Sequence, residues 1–248
     1  NKDKLTLCKT EVSFMGHLIS STGLKPDPAK VQGNVQMPTT ENKHDVKRIL
    51  DMINYLQKFA PNLSATTAPL RELLKENNQF HWDDQVQGLS FDRVKHMLSQ
   101  APVLKFFDPS APVEFQCDES DSGLGACLLQ QGQPVAYASR ALTDTEINYA
   151  QIEKEMLAIV FAAERFEQFI YGRPVKVDTD HKPLESIFKK NLNCAPKRLQ
   201  RMLLTLQKFD LTVYYKRGTE MYLADTLSLA LPPHKCEPGT DRRCCFTS

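Results

Sequence analysis

Apolar side chains in the first part of the chain recur mainly at helical spacing. Residues 12–19 alternate between apolar and polar in the manner of one short strand, and residues 23–28, with a glycine and two prolines, predict a turn. Across residues 46–56 apolar side chains return at steps of three and four, which predicts an amphipathic helix with Asn42 or Asp45 as its cap. We therefore expect a small, mostly helical module at this end of the chain.

Two more helices and a boundary are predicted after that helix. Pro69 stands near the start of one, where proline is tolerated, and residues 89–98 form the other. Residues 108–112 carry two prolines among small side chains, which is typical of a connector. The first domain is therefore predicted to span residues 1–109.

The pattern changes after the connector. Alternating or continuous apolar stretches predict three strands joined by a turn at residues 131–133, and Thr143 or Asp144 is the expected cap of one long helix that ends near residue 171. The predicted strands cover 113–118, 123–130, 134–140, 175–179 and 211–215, and the further helices cover 183–188, 196–209 and 222–229. This order predicts an α/β domain over residues 110–230 with a mixed five-stranded sheet and flanking helices. Residues 231–248 are expected to be a flexible tail.

Composition excludes few classes of function. The 31 Lys and Arg nearly balance the 30 Asp and Glu, so a nucleic-acid partner must be argued from local patches and not from the net charge of +1. We find neither a signal peptide nor an apolar run of the roughly 18 residues that would cross a bilayer. The seven cysteines lack framework spacing, which favours reduced thiols. We expect an intracellular protein that is neither secreted nor associated with a membrane.

Four carboxylates occupy positions where a metal site is commonly built. Asp118 ends the first strand of the second domain, Asp180 ends the fourth, Glu155 lies in the long helix and Asp225 in the last helix. Acids that converge at strand ends repel one another unless cations are present. Two Mg²⁺ ions about 4 Å apart, or Mn²⁺, would relieve that repulsion; one would activate water and the other would stabilise a departing 3′ oxygen.

The position of Glu155 strengthens this interpretation. Glu155 shares a helix face with the apolar Ile152, Met156 and Ile159, where a carboxylate is costly unless it has a partner. The alternative is that each acid is structural, since an aspartate at a strand end is often only a turn former. Spacing alone leaves both interpretations open.

Several motifs, in the right order, resemble the Pol polyprotein of gypsy-type LTR retrotransposons over nearly the full length of the chain. These motifs are residues 14–17 (FMGH), 54–62 (NYLQKFAPN), 118–120 (DES), 123–126 (GLGA), 137–140 (YASR), 153–158 (EKEMLA), 179–184 (TDHKPL) and 224–228 (ADTLS). The resemblance implies an RNase H-like domain that cleaves the RNA strand of RNA–DNA hybrids, within a reverse transcriptase polyprotein found in the cytoplasm or in virus-like particles.

The resemblance also implies roles for particular residues. The metal-binding acids of that family correspond to Asp118, Glu155, Asp180 and Asp225. Residues 1–109 correspond to a remnant of the polymerase palm followed by the thumb and connection, so the remaining palm and fingers of a reverse transcriptase are implied as partners.

Departures from the family pattern keep a second hypothesis open. The paired-aspartate strand of the polymerase palm is not found, so this chain is not expected to polymerise DNA. Glu119 replaces an alanine beside a proposed ligand, and Leu229 replaces an arginine. The alternative function is therefore a catalytically inactive, nucleic-acid-binding remnant of a Pol protein.

Basic residues between the fourth and fifth strands are candidates for contacts with the phosphates of a hybrid. They are Lys182, Lys189, Lys190, Lys197, Arg198 and Arg201. The alternative is a solvated helix face. His181, next to a proposed ligand, has either a structural or a catalytic role.

Overall fold

The computed structural model of the 248-residue chain describes residues 9–35, 40, 42–61, 63–76, 78–189 and 195–221. The predicted helix 222–229, the predicted tail 231–248, Lys190 and the proposed ligand Asp225 lie outside the described residues. The predicted domain boundary near residue 109 stays a prediction.

A small antiparallel sheet opens the described chain. Its strands are β1 (Glu11–Phe14), β2 (His17–Ser20) and β3 (Gly23–Pro26), in the order β1-β2-β3. The prediction of one strand over 12–19 was wrong, because Met15 and Gly16 take positive φ angles of 48° and 70° and reverse the chain. A two-residue hairpin turn preserves the alternation of side chains, so the apolar pattern alone did not reveal it.

The turn predicted at 23–28 is instead strand β3. Gly23 has a φ of +139°, and a Cβ on it would lie 2.2 Å from the carbonyl oxygen of Leu104. This close approach allows Leu24 and Leu104 to exchange backbone hydrogen bonds of 2.8 and 2.9 Å. The small sheet is thereby joined to the segment that leads into the large sheet described below.

Five helices follow or adjoin this sheet: α1 (Pro28–Val35), α2 (Lys43–Tyr55), α3 (Leu63–Thr66), α4 (Ala68–Glu72) and α5 (Leu89–Ser99). A 3-10 turn over Gln57–Phe59 and a π-helical turn over Asp84–Gly88 lie between them. The helices predicted over 46–56 and 89–98 are confirmed, and Asn42 caps α2 by accepting a hydrogen bond from the backbone of Asp45. Helix α1 was not predicted.

The part of the chain after the predicted connector contains the predicted mixed sheet. Its strands are β4 (Val113–Glu119), β5 (Gly123–Gln130), β6 (Gln133–Ala141), β7 (Pro174–Thr179) and β8 (Asp210–Tyr215), in the order β6-β5-β4-β7-β8. Strands β4, β5 and β6 form an antiparallel meander, while β7 and β8 run parallel to β4. The predicted fold class is confirmed.

The single long helix predicted after Thr143 is three helices: α6 (Asp144–Ile147), α7 (Gln151–Arg165) and α8 (Glu167–Ile170). Thr143 caps α6 in a capping box with Glu146, and Ala150 then takes an extended conformation before α7 begins. Helices α9 (Lys182–Lys189) and α10 (Lys197–Leu206) follow, and a 3-10 turn, Gly218–Glu220, comes after β8.

Two clusters of buried apolar side chains lie on opposite faces of the large sheet. Ala126 and Leu128 of β5 pack in one cluster with α7 and α10, while Cys127 and Leu129 pack in the other with the helical module. At the second face, Ser139 of β6 accepts a 3.1 Å hydrogen bond from the backbone N–H of Ser64. The helical module therefore rests on the antiparallel half of the sheet. Within the described residues, no helix combines the length and apolar character needed to span a membrane.

Candidate active site

Asp118 and Asp180 leave neighbouring strands at the same edge of the large sheet. Strands β4 and β7 are parallel, and their last paired residues are Gln116 and Asp178. Two residues further along each strand direction are Asp118 and Asp180. The parallel register, not their distance in sequence, brings these two acids to one place.

Glu155 joins them from helix α7, which packs across β4 and β5. Only 5% of Glu155 is exposed. Burial, followed in order of size by the negative charges of Asp180, Glu119 and Asp118, raises the pKa of its carboxyl group from 4.5 to about 8. Two other predicted ligands, Asp118 and Asp180, therefore lie near enough to repel Glu155, together with Glu119, an acid that we did not predict.

Polar contacts hold Glu155 within this group. The side-chain amide of Gln151, one helical turn earlier, donates a 3.4 Å hydrogen bond to Oε1 of Glu155 and a second hydrogen bond to Oε1 of Glu119. His181 places Nδ1 3.9 Å from the same Glu155 oxygen. The backbone N–H of His181 donates to Oγ1 of Thr179 at 3.2 Å. This contact does not involve the imidazole ring, so the structural or catalytic role of the His181 side chain stays a prediction.

The segment after β8 packs against the end of β7. The backbone N–H of Lys216 donates to the carbonyl of Thr179 at 2.9 Å. A Cβ added to Gly218 would lie 3.2 Å from Oδ2 of Asp180. Asp180 is exposed to solvent but is bordered on this side by backbone.

The donor atoms suit a hard divalent cation. Asp118, Glu155 and Asp180 offer carboxylate oxygens, which Mg²⁺ and Mn²⁺ prefer. A divalent cation would also offset the repulsion that is visible in the raised pKa of Glu155. In their present rotamers, however, no three His, Cys, Asp or Glu side chains among the described residues are arranged to hold a metal ion. The chemistry of the group fits a metal, and binding would require the side chains to close around it.

A second buried carboxylate, Asp178, lies two residues before Asp180 and is 1% exposed. Its oxygens lie 2.9 Å from Nζ of Lys176 and 3.6 Å from Nζ of Lys216, and Gln116 donates a 3.3 Å hydrogen bond to it. We did not single out this cluster in the sequence. It is compensated by cations and ties β4, β7 and the segment after β8 together.

The predicted basic residues that are described all lie exposed on α9 and α10. Arg198 forms a 2.6 Å ion pair with Glu153 and stacks 4.0 Å from the ring centre of Tyr149. Lys189 forms a 2.6 Å ion pair with Glu185 one turn away. These two contacts favour a structural role for Arg198 and Lys189. Lys182, Lys197 and Arg201 stay candidates for contact with phosphates.

Sequence reasoning missed Glu119 and Gln151. Glu119 was noticed only as a departure from a family pattern, although it adjoins a proposed ligand. The signal for Gln151 was its spacing of four from Glu155, which places both on one helix face. That spacing did not show that a strand residue would meet the same amide.

Comparison with known proteins agrees with this fold. Residues 108–209 match the profile of the RNase H-like domain found in reverse transcriptase. Three curated relatives are each 32% identical to this chain. Two are retrovirus-related Pol polyproteins of Drosophila melanogaster, from transposon 297 over 91% of this chain and from transposon gypsy over 92%. The third is the transposon Tf2-3 polyprotein of Schizosaccharomyces pombe, over 92% of this chain. The chain spans 21%, 23% and 18% of the length of these relatives.

Solved structures share the architecture at lower identity. A foamy viral protease-reverse transcriptase in complex with RNA/DNA hybrid aligns with 99% of this chain and 33% of that chain, at 22% identity and a TM-score of 0.74. The same kind of protein in complex with double-stranded DNA aligns with 87% of this chain and 47% of that chain, at 22% identity and a TM-score of 0.73. At this identity the likeness establishes the fold.

Proposed function

The chain is a homologue of retrotransposon Pol polyproteins and contains an RNase H-like domain of the reverse transcriptase type, and from this premise we propose that it is a metal-dependent endonuclease that hydrolyses the RNA strand of RNA–DNA hybrids. The observation that carries the proposal is the meeting of Glu155 with Asp118 and Asp180, where burial and like charge raise the pKa of Glu155 to about 8. A strongly perturbed acid among other acids is typical of a catalytic site.

Asp118, Glu155 and Asp180 would hold the metal, with Asp225 as a fourth ligand. When bound there, a pair of Mg²⁺ or Mn²⁺ ions would supply an activated water and offset the charge on the departing 3′ oxygen of the RNA. The protein's own contribution is to position the ligands. Strands β4 and β7 fix the backbones of Asp118 and Asp180, and helix α7 presents Glu155 from a buried position.

The substrate would approach this edge of the sheet beside α9. Lys182 follows Asp180 by two residues and is exposed, so its ammonium group is a candidate for contact with a phosphate close to the acids. Lys197 and Arg201 on α10 are exposed candidates further away. Binding that rests on such contacts should weaken steeply as salt is added. The polymerase parts of the longer Pol polyproteins would be the protein partners of this chain.

The experiment is cleavage of a labelled RNA–DNA hybrid by the purified chain in Mg²⁺ or Mn²⁺. The matched variants are Asp118→Asn, which removes a proposed ligand, and Asp121→Asn, which makes the same chemical change at an exposed residue of the adjacent turn. We expect cleavage by the wild type and by Asp121→Asn, and none by Asp118→Asn. Hybrid binding that is sensitive to salt, without cleavage above Asp118→Asn in either metal, would reject the enzyme and support the inactive, nucleic-acid-binding remnant.

A further inference from the structure

We infer that Gln151 is a positioning residue that couples Glu119 to Glu155, so that Glu119 acts as an additional carboxylate of the metal site. The inference rests on the proposed function, because it concerns how the ligand Glu155 is held. It assigns a purpose to Glu119, a residue that the sequence presented only as a departure.

The geometry places one amide group between two acids from different elements. Gln151 is the first residue of α7, Glu155 lies one turn later, and Glu119 is the last residue of β4. The amide nitrogen of Gln151 donates to Oε1 of Glu119 and, at 3.4 Å, to Oε1 of Glu155. A primary amide has two hydrogens to donate, so one side chain can serve both carboxylates.

The two hydrogen bonds of Gln151, which together bridge Glu119 and Glu155, reduce the electrostatic repulsion between these acids. Glu119 and Glu155 repel each other, and a side chain that donates to both offsets part of the repulsion without adding a charge that would compete with a cation. The bridge also connects the start of α7 to the strand residue that follows Asp118.

Capping of the helix does not explain the contacts of Gln151. The side chain of Glu153 accepts a 3.1 Å hydrogen bond from the backbone N–H of Ala150, so another residue serves the start of α7. Gln151 is exposed, and its amide would otherwise be hydrated. Its two contacts go to acids, and one of those acids is a proposed metal ligand.

The test is a double-mutant cycle in the full chain. Gln151→Met keeps the length of the side chain and removes the donor, Glu119→Ala removes the second acceptor, and the double variant combines them. Gln168→Met makes the same change at an exposed glutamine on α8 and is the matched control. Binding of Mn²⁺ to the substrate-free protein is measured by electron paramagnetic resonance, kcat and KM are measured on the hybrid, and thermal unfolding verifies folding.

We expect Gln151→Met to weaken Mn²⁺ binding roughly 10-fold, as is usual when a partner of a metal ligand is lost. The value of kcat should fall while KM for the hybrid stays constant, and Gln168→Met should behave as wild type. The double variant should lose less Mn²⁺ affinity than the product of the two single losses, because both changes break the hydrogen bond between Gln151 and Glu119.

Unchanged Mn²⁺ affinity in a folded Gln151→Met variant, or losses that multiply in the double variant, would overturn the inference. Absence of Mn²⁺ binding by the wild type would overturn it as well. Failure of the proposed function has a different signature: the wild type would bind Mn²⁺ in a manner that depends on Asp118 but would not cleave the hybrid. In that case the cycle of binding measurements still decides the role of Gln151.

Discussion

Glu155 and Asp178 are both buried carboxylates at one end of the large sheet, and their surroundings are opposite. Asp178 is neighboured by Lys176 and Lys216 and receives a hydrogen bond from Gln116. Glu155 faces Asp118, Glu119 and Asp180, and its pKa rises to about 8. Burial by itself therefore does not mark a functional acid. Asp178 is compensated by cations, whereas Glu155 lies among other acids and is the carboxylate that we propose to bind a metal ion.

The largest expected effect is the loss of cleavage in Glu155→Gln. The substitution keeps the shape of the side chain and removes a proposed metal ligand, so cleavage of the hybrid should fall by more than the roughly 100-fold that loss of an outer partner costs. The metal-free protein should be at least as stable as wild type, because repulsion with three neighbouring acids is removed. Initial rates and urea unfolding measure the two quantities. A variant that is active but less stable would reverse the assignment of Glu155.

The second effect is a fall in stability with rising pH in metal-free protein. The pKa of Glu155 is about 8 in the folded chain against an ordinary 4.5, so between these values the folded state holds a proton that the unfolded state has released. The free energy of unfolding should therefore fall as pH rises through this window, by at most about 1.4 kcal/mol per pH unit from this group.

Glu146 is the comparison group for that measurement, because its pKa is shifted in the opposite direction to that of Glu155. Hydrogen bonds from Arg140 lower its pKa to about 2, so its contribution to stability is present above pH 4.5 and is lost as pH falls towards 2. Urea unfolding across both windows, in wild type and Glu155→Gln, separates the two groups. An identical slope between pH 4.5 and 8 in the two proteins would show that Glu155 is not the group responsible.

The smallest effect is expected for Asp178→Asn. The change leaves Lys176 and Lys216 without their buried acceptor, and the unfolding free energy should fall by about 1–3 kcal/mol. Both lysines keep partial contact with water, which limits the loss. Cleavage per folded molecule should change much less than in Glu155→Gln. If Asp178→Asn abolished cleavage without loss of stability, the division between a structural and a catalytic carboxylate would be wrong.

The sequence predicted the strands of the large sheet well because each is a short apolar stretch bounded by turn residues. It predicted the helices less well where the chain ends one helix and begins another within a continuous apolar pattern. The pattern of Ile152, Met156 and Ile159 continues in phase, whereas the capping box of Thr143 and the extended backbone at Ala150 divide the predicted helix. Likewise the alternation of residues 12–19 passed over the turn at Met15 and Gly16. The periodicity of apolar side chains indicates which face of a helix or strand is buried, but it does not indicate where the backbone turns.

For the candidate site, residue types and their order determined which acids to consider. Asp118, Glu155 and Asp180 were named from strand ends, a helix face and a family resemblance, and their roles as ligands stay a proposal. Their convergence depended on the parallel pairing of β4 with β7 and on the packing of α7 over β4. Pairing across such a distance in sequence is a property of the whole sheet, and no local pattern contains it.

The sequence by itself determined the alternation of elements, the mixed α/β class and the identity of the principal acids, because these depend on local periodicity and residue chemistry. Only the tertiary structure decided that Glu119 and Gln151 join Glu155, that Asp178 is compensated by lysines, and that Arg198 is paired within the chain. The physical reason is that a charge is stabilised or opposed by its neighbours in space, and those neighbours come from strands and helices far apart along the chain.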